Sequence, residues 1–201
     1  MALEPETPCN SMRRYILTGT PGTGNTAILC CLELDGYSVV EEAATDIIAL
    51  QQAQGVAEPW SHASFIDAIV NLQRERQLRA SRLGDDQQFF DRSPICTYAL
   101  ARYLGYPISA ALSTEIERIQ QDEIYQKRVF FVQGLGFTAA TDARRITPDD
   151  ALRFERVHEE TYRRFDYQIV PISAAPLLER IALIKKDDGR YPRRLDRSFQ
   201  G

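Results

Sequence analysis

Apolar residues come in two rhythms along this 201-residue chain. Short unbroken runs alternate with longer stretches whose apolar positions recur every three or four residues. The runs are Tyr15-Ile16-Leu17 within 13–18, Tyr37 to Val40, "QQFF" leading to Asp91, Val129 to Val132, and "YQIVPI" near residue 170. Runs of this length, rich in β-branched and aromatic side chains, predict strands buried on both faces. The spaced stretches predict helices over about 24–34, 45–54, 109–125, 147–165 and 176–184. One further helix is predicted after a Ser61 cap, with Phe65, Ile69 and Leu72 on one face, and another from Ser93-Pro94, where a capping hydroxyl precedes proline. Thr147-Pro148-Asp149-Asp150 is the strongest start signal, joining a cap, a proline and two acids set against the helix dipole.

Five strands alternating with helices imply an α/β fold with a parallel sheet covered on both faces. Ligands of such sheets bind at the carboxyl ends of the strands. The segments that matter are therefore 19–26, 41–46, 91–93, 133–147 and 172–176. Residues 1–12 read as a flexible leader, 13–184 as one domain, and 185–201 as a polar tail.

The first of those segments carries "GTPGTGNT": Gly19, Thr20, Pro21, Gly22, Thr23, Gly24, Asn25 and Thr26. It lies between a predicted strand and a predicted helix and has the spacing of a phosphate-binding loop, G-x-x-x-x-G-K-[ST]. Glycines let successive backbone N–H groups turn inward, and the following helix N-terminus favours an anion. Thr26 stands where a hydroxyl ligates Mg²⁺. Asn25 stands where lysine is expected, so the backbone cradle survives without its cation. Lysine follows charge as it moves during transfer, so its loss is expected to harm turnover more than binding. Either an engineered exchange or a natural departure with reduced or rerouted chemistry accounts for it.

Composition narrows the classes. Hydrophobic residues are 44% and charged residues 26%, which excludes a disordered or collagen-like chain. A net charge of −4 provides no global field for nucleic acid or anionic membrane. The four cysteines, Cys9, Cys30, Cys31 and Cys96, form no C-x-x-C pair, so no structural zinc site is expected. Cys30 and Cys31 read as small core residues, and the pattern suits a reducing cytoplasm. No run approaches a membrane-spanning length.

Taken with "VVEEAATDIIALQQAQG" and "FFDRSPICTYALARYLG", the loop makes the chain resemble a small P-loop kinase-type ATPase. The family is that of compact AAA-annotated ATP-binding domains related to ribosylnicotinamide kinase, and the resemblance covers about 13–184. It implies a P-loop NTPase three-layer sandwich, nucleoside/nucleotide-kinase-like, with a five-stranded parallel sheet and a lid at about 134–147. It also implies ATP or another NTP with Mg²⁺, and a small-molecule acceptor.

By the same resemblance, Glu42 hydrogen-bonds or deprotonates an acceptor hydroxyl. Family members often carry arginine three residues later, where this chain has Thr45. Asp91, with Thr26, would organise the metal, and Arg92 would grip acceptor or phosphate. Arg144 and Arg145 match lid arginines that close over phosphates and offer a substitute for the absent lysine charge. The arginines at 153, 156, 163 and 164 read as a solvated face beside Glu155, Glu159 and Glu160. Residues 173–176 fall where such kinases pass a loop beside adenine. Two functions follow from these residues: a phosphotransferase acting on a hydroxyl-bearing metabolite or nucleoside, or a nucleotide-binding regulatory module with little turnover.

Overall fold

Five strands and seven α-helices alternate through the described residues of the computed structural model, which are 12–19, 22–134 and 148–187. The strands are β1 (Arg13–Gly19), β2 (Ser38–Val40), β3 (Gln87–Asp91), β4 (Arg128–Val132) and β5 (Gln168–Ile172). They form one all-parallel sheet in the order β2-β3-β1-β4-β5. The helices are α1 (Asn25–Leu34), α2 (Ala43–Ala53), α3 (Ser64–Ala80), α4 (Pro94–Leu104), α5 (Ala110–Gln121), α6 (Pro148–Arg164) and α7 (Leu177–Asp187).

The unbroken apolar runs serve two cores because side chains alternate faces along a strand. Ile16, Phe90 and Val129 join α3, α4, α5 and α6 on one face. Their neighbours Tyr15, Leu17, Phe89 and Phe130 join Ile28, Leu29 and Leu32 of α1 and Ile181 and Ile184 of α7 on the other. Each fully buried aliphatic side chain contributes roughly 1.5–3 kcal/mol. A small third cluster holds Ala43 and Ile47 of α2 against Phe65 and Ile69 of α3. Pro171 is tolerated because β5 is an edge strand, so a missing N–H costs no interior ladder bond. The expected three-layer α/β sandwich is the fold observed.

Local signals deviate in four places. Ser61 does not cap α3: it ends a short 3₁₀ turn over Pro59–Ser61, and α3 starts at Ser64 behind Ala63. The α5 helix begins as expected, with Ser109 accepting from the Leu112 N–H, but stops at Gln121 rather than 125. There Glu123 takes a left-handed backbone, and Tyr125 is instead pulled into the core against Phe90. The α7 helix continues three residues past 184, with Lys185 bonded to Asp35 at 2.5 Å. Cys30 is exposed on the outer side of α1 rather than in the core, although Cys96 is buried.

Candidate functional site

Strand order decides which strand-end residues meet. Leu17 pairs with Asp91 and Val40 with Phe90, so β3 carries Asp91 and Arg92 between the segments that follow β1 and β2.

On the β2 side, Arg92 Nε lies 2.7 Å from Glu42 Oε1, with side chains only 11% and 17% exposed. The contact is an ion pair whose Nε–H does not point along a hydrogen-bond line. Arg92 has φ 70°, a left-handed conformation that is unusual for a side-chain-bearing residue. Glu123 and Asp166, the other two described non-glycine residues with positive φ, lie just past helix ends. Arg92 lies instead at a strand end, where its N–H is held by the Leu17 carbonyl at 2.9 Å. Such strain is kept only where surroundings over-determine it. Burial opposes the Arg92 charge, but the carboxylate of Glu42, aided by Asp91, outweighs it and raises the guanidinium's pKa above its ordinary value.

The backbone before α2 is fixed by Arg76, which donates to the carbonyls of Glu41 at 3.1 Å and Glu42 at 2.7 Å and pairs with Asp46. Thr45, at the position expected for arginine, donates to Glu42 Oε2 at 2.6 Å. Both carboxylate oxygens of Glu42 are therefore engaged, one by charge and one by a hydroxyl.

On the β1 side the phosphate loop folds back onto the sheet. A Cβ on Gly19 would collide with the Val132 carbonyl oxygen and lie 2.9 Å from Thr23 Oγ1, so only glycine fits. Gly24 caps α1 in a left-handed conformation. The first N–H groups of α1 have no intrahelical carbonyl to bond, which is the feature that anion sites use. Asn25 is buried and bridges two elements: Thr23 Oγ1 donates to Asn25 Oδ1 at 3.1 Å, and Asn25 Nδ2 faces Asp91 Oδ1 at 3.5 Å. The second contact is at the long limit of a hydrogen bond. Thr26 is exposed at the helix start. Thr20, Pro21, Arg144 and Arg145 lie outside the described residues, as does the capping Thr147.

Behind Arg92 sits a buried polar group that sequence reasoning missed. Ser93 does not cap α4 with its side chain; its hydroxyl is 3.0 Å from the Tyr162 hydroxyl. Tyr162 also lies 2.9 Å from Cys96 Sγ, which is 3.2 Å from Thr18 Oγ1. The network ties β1, α4 and α6 together, and burial raises the Tyr162 phenol's pKa well above its usual range. Nearby, His158 of α6 is fully buried, with no hydrogen bond of good geometry to either ring nitrogen. Burial, joined by the charge of Arg92, pushes its pKa down to about 3 against weaker opposition from the backbone at Cys96 and Phe154.

Sequence reasoning also passed over Arg180. This α7 residue is 2% exposed, and its Nη2 donates to the carbonyls of Thr23 at 2.8 Å and Gln133 at 3.3 Å. A basic residue within an amphipathic helix signals nothing by itself; only the packing of α7 on α1 brings it to the loop. The arginines at 153, 156, 163 and 164 are exposed as expected, with Arg163 pairing Glu159 at 2.7 Å. Tyr98 and Tyr103 pack edge-on against Phe165 and Phe154, whereas His62 is exposed.

Asp91 and Thr26 are hard oxygen donors of the kind Mg²⁺ takes. Mg²⁺ characteristically uses one or two protein ligands, with phosphates and waters completing its shell. Among the described residues no cluster of three or more His, Cys, Asp or Glu could hold a metal ion. No helix among the described residues is long and apolar enough to cross a membrane.

A family model described as "AAA domain" matches residues 14–180. Among solved structures, deoxyadenosine kinase from M. mycoides, with products dCMP and dCDP bound, is similar at 14% identity and a TM-score of 0.57. That match covers 87% of this chain and 97% of that one. NadR protein in complex with NR gives a TM-score of 0.68 at 14% identity, over 92% of this chain and 54% of that chain. Thymidylate kinase from Ehrlichia chaffeensis gives 0.55 at 14% identity, over 88% of this chain and 98% of that one. No curated protein matches the sequence. At these identities the structural matches establish a shared fold, that of small P-loop kinases.

Proposed function

The chain belongs to the AAA domain family, and from that premise we propose that it is a cytoplasmic, ATP-dependent phosphotransferase acting on a small hydroxyl-bearing metabolite or nucleoside. One observation carries the reading: the phosphate loop, Asp91 and the Glu42–Arg92 pair converge at three adjacent strand ends. The fold shared with kinases of nucleosides and nucleotides supports it.

In this reading the triphosphate lies along Gly19–Thr26, against the N–H groups of the loop and of α1. Thr26 and Asp91 would hold Mg²⁺, which would supply positive charge against the phosphates. The acceptor oxygen forms a bond to the γ-phosphorus as the bond to the β-phosphate oxygen breaks, the hydroxyl proton passes to Glu42, and the nucleoside diphosphate leaves. Glu42, oriented by Arg92 and Thr45, retains lone pairs to hold the acceptor hydroxyl in line. Arg92, with Arg144 and Arg145 of the lid, supplies positive charge to the moving phosphoryl group.

A second reading, a nucleotide-binding regulatory module, is favoured by the neutral Asn25 bridge beside Asp91. Titration with ATP in the presence and absence of Mg²⁺, alongside transfer of labelled γ-phosphate to a pool of nucleosides and small alcohols, separates the two. Transfer by the chain as it stands or by Asn25→Lys supports the enzyme. Mg²⁺-dependent binding without transfer by either chain leaves the module. Absence of nucleotide binding removes both.

A further inference from the structure

The head of α1 is backed by a cation from a distant part of the chain. Arg180 of α7 is buried, and both of its hydrogen bonds leave one nitrogen, Nη2, for the neutral carbonyls of Thr23 and Gln133. Its Nε is buried without a partner, and among the described residues no carboxylate pairs with it. A buried cation is ordinarily offset by an acid. Burial accordingly lowers the Arg180 pKa, although a guanidinium keeps its charge in proteins.

Its placement is fixed from several sides. Gln133 follows β4, and its N–H is held by the Ile172 carbonyl of β5 at 2.9 Å. The Arg180 N–H returns to the Pro176 carbonyl at 3.2 Å, at the start of α7. The guanidinium also lies against Gly24: a Cβ there would stand 3.3 Å from Nη1, at a φ of 90° that already strains any residue with a side chain. Glycine at this position lets the charge sit directly behind the loop.

The peptide joining Thr23 to Gly24 connects that charge to the inner side. In a trans peptide C=O and N–H point in opposite directions, so a donor on the Thr23 carbonyl leaves the Gly24 N–H directed away from Arg180. Hydrogen bonds in series polarise one another, and a charge-assisted bond to the carbonyl makes the attached N–H a stronger donor. The first bond from the α1 ladder falls on the next carbonyl, where Ile28 donates to Gly24 at 3.2 Å. The Gly24 N–H therefore stands at the head of α1, among the amides that anion sites use.

We propose that Arg180 is a positioning residue for phosphate: it holds the Thr23–Gly24 peptide with its N–H inward and supplies through it the positive charge that Asn25 does not bring. This rests on the phosphate-site reading above and adds to it the source of the charge. Arg180 is packed in place and cannot follow a moving phosphoryl group. It strengthens polyphosphate binding and leaves the lysine's part in transfer unfilled.

Calorimetric titration of the full chain with inorganic tripolyphosphate and Mg²⁺ isolates phosphate from base and sugar. Arg180→Met should weaken binding about tenfold. Arg180→Lys separates charge from shape, because a buried lysine titrates with a lowered pKa and its neutral amine still donates to the Thr23 carbonyl. At about pH 7 this variant should bind within about threefold of the unsubstituted chain, and by about pH 9.5 it should fall to the level of Arg180→Met. The unsubstituted chain, measured at each pH as the reference, keeps its guanidinium charged throughout. Thermal unfolding of each variant checks that it is folded. Unchanged binding in Arg180→Met overturns the proposal. A flat pH profile of Arg180→Lys relative to the reference overturns it as well, since the contact would then only shape the loop. Failure of the unsubstituted chain to bind either tripolyphosphate or ATP is a different result: it removes the phosphate site itself, and this inference with it.

Discussion

On the β2 side of Asp91, a guanidinium meets a carboxylate at 2.7 Å with both side chains largely buried. On the β1 side, the group facing Asp91 is the neutral Asn25 amide at 3.5 Å. The proposed acceptor side is thus internally neutralised and geometrically preset, with Arg76 and Thr45 fixing Glu42 from two further directions. The proposed donor side keeps the shape of a phosphate cradle, but the loop itself contributes no side-chain cation. The lesson is that shape and charge separate in such a loop. Glycine close packing at Gly19 and Gly24 preserves the former, and a single side chain sets the latter.

The sharpest way to break this contrast is Asn25→Lys. A lysine there pairs with Asp91 and reaches the phosphates, and phosphoryl transfer should rise about a hundredfold or more, measured by label transfer. Nucleotide affinity should change less than the rate. No gain in rate would mean that the donor side is not limited by this charge.

The next largest effect concerns the acceptor side. Arg92→Ala leaves Glu42 buried without its cation and should cost about 3 kcal/mol in denaturant unfolding. Arg92→Gly should cost about 1 kcal/mol less, because glycine relieves the left-handed backbone at φ 70°. Equal losses would show that the backbone there is unstrained.

His158 tests whether the buried ground behind Arg92 tolerates further charge. Its pKa in the folded chain is about 3, below the unfolded value of about 6.5. Between these values the unfolded chain binds a proton that the native one excludes. Stability is therefore full above about pH 6.5 and falls as pH drops toward 3. Between pH 7.5 and 5, the unsubstituted chain should lose about 2 kcal/mol more than His158→Leu, read from paired denaturation curves. Identical pH profiles would place His158 in a solvated environment.

The smallest expected change is Tyr162→Phe, which removes the hydroxyl shared by Ser93 and Cys96. It should cost about 1 kcal/mol. A loss well below that would mean that the network carries no net stability and serves only to orient the Arg92-Ser93 turn.

Much of the fold was legible because it rests on local patterns. Unbroken apolar runs follow from two-sided burial, and α4 and α6 start at the expected prolines, Pro94 and Pro148. Glu42, Asp91 and Arg92 were legible as strand-end residues. Ser61 and Ser93 misled because a capping hydroxyl is only a candidate until tertiary partners compete for it; Tyr162 took Ser93. Cys30 misled because an apolar run on a surface helix does not say which side faces the sheet.

By itself the sequence determined an alternating α/β chain, a glycine loop at a strand end, and a loop cation replaced by an amide. These depend on spacing within a few residues, which covalent geometry enforces. Tertiary structure alone decided that β3 lies between β1 and β2, and so which charges meet. It also decided that an arginine 157 positions beyond Thr23 donates to that residue's carbonyl. Such pairings follow from sheet order and helix packing, which depend on contacts distant in sequence and leave no local trace.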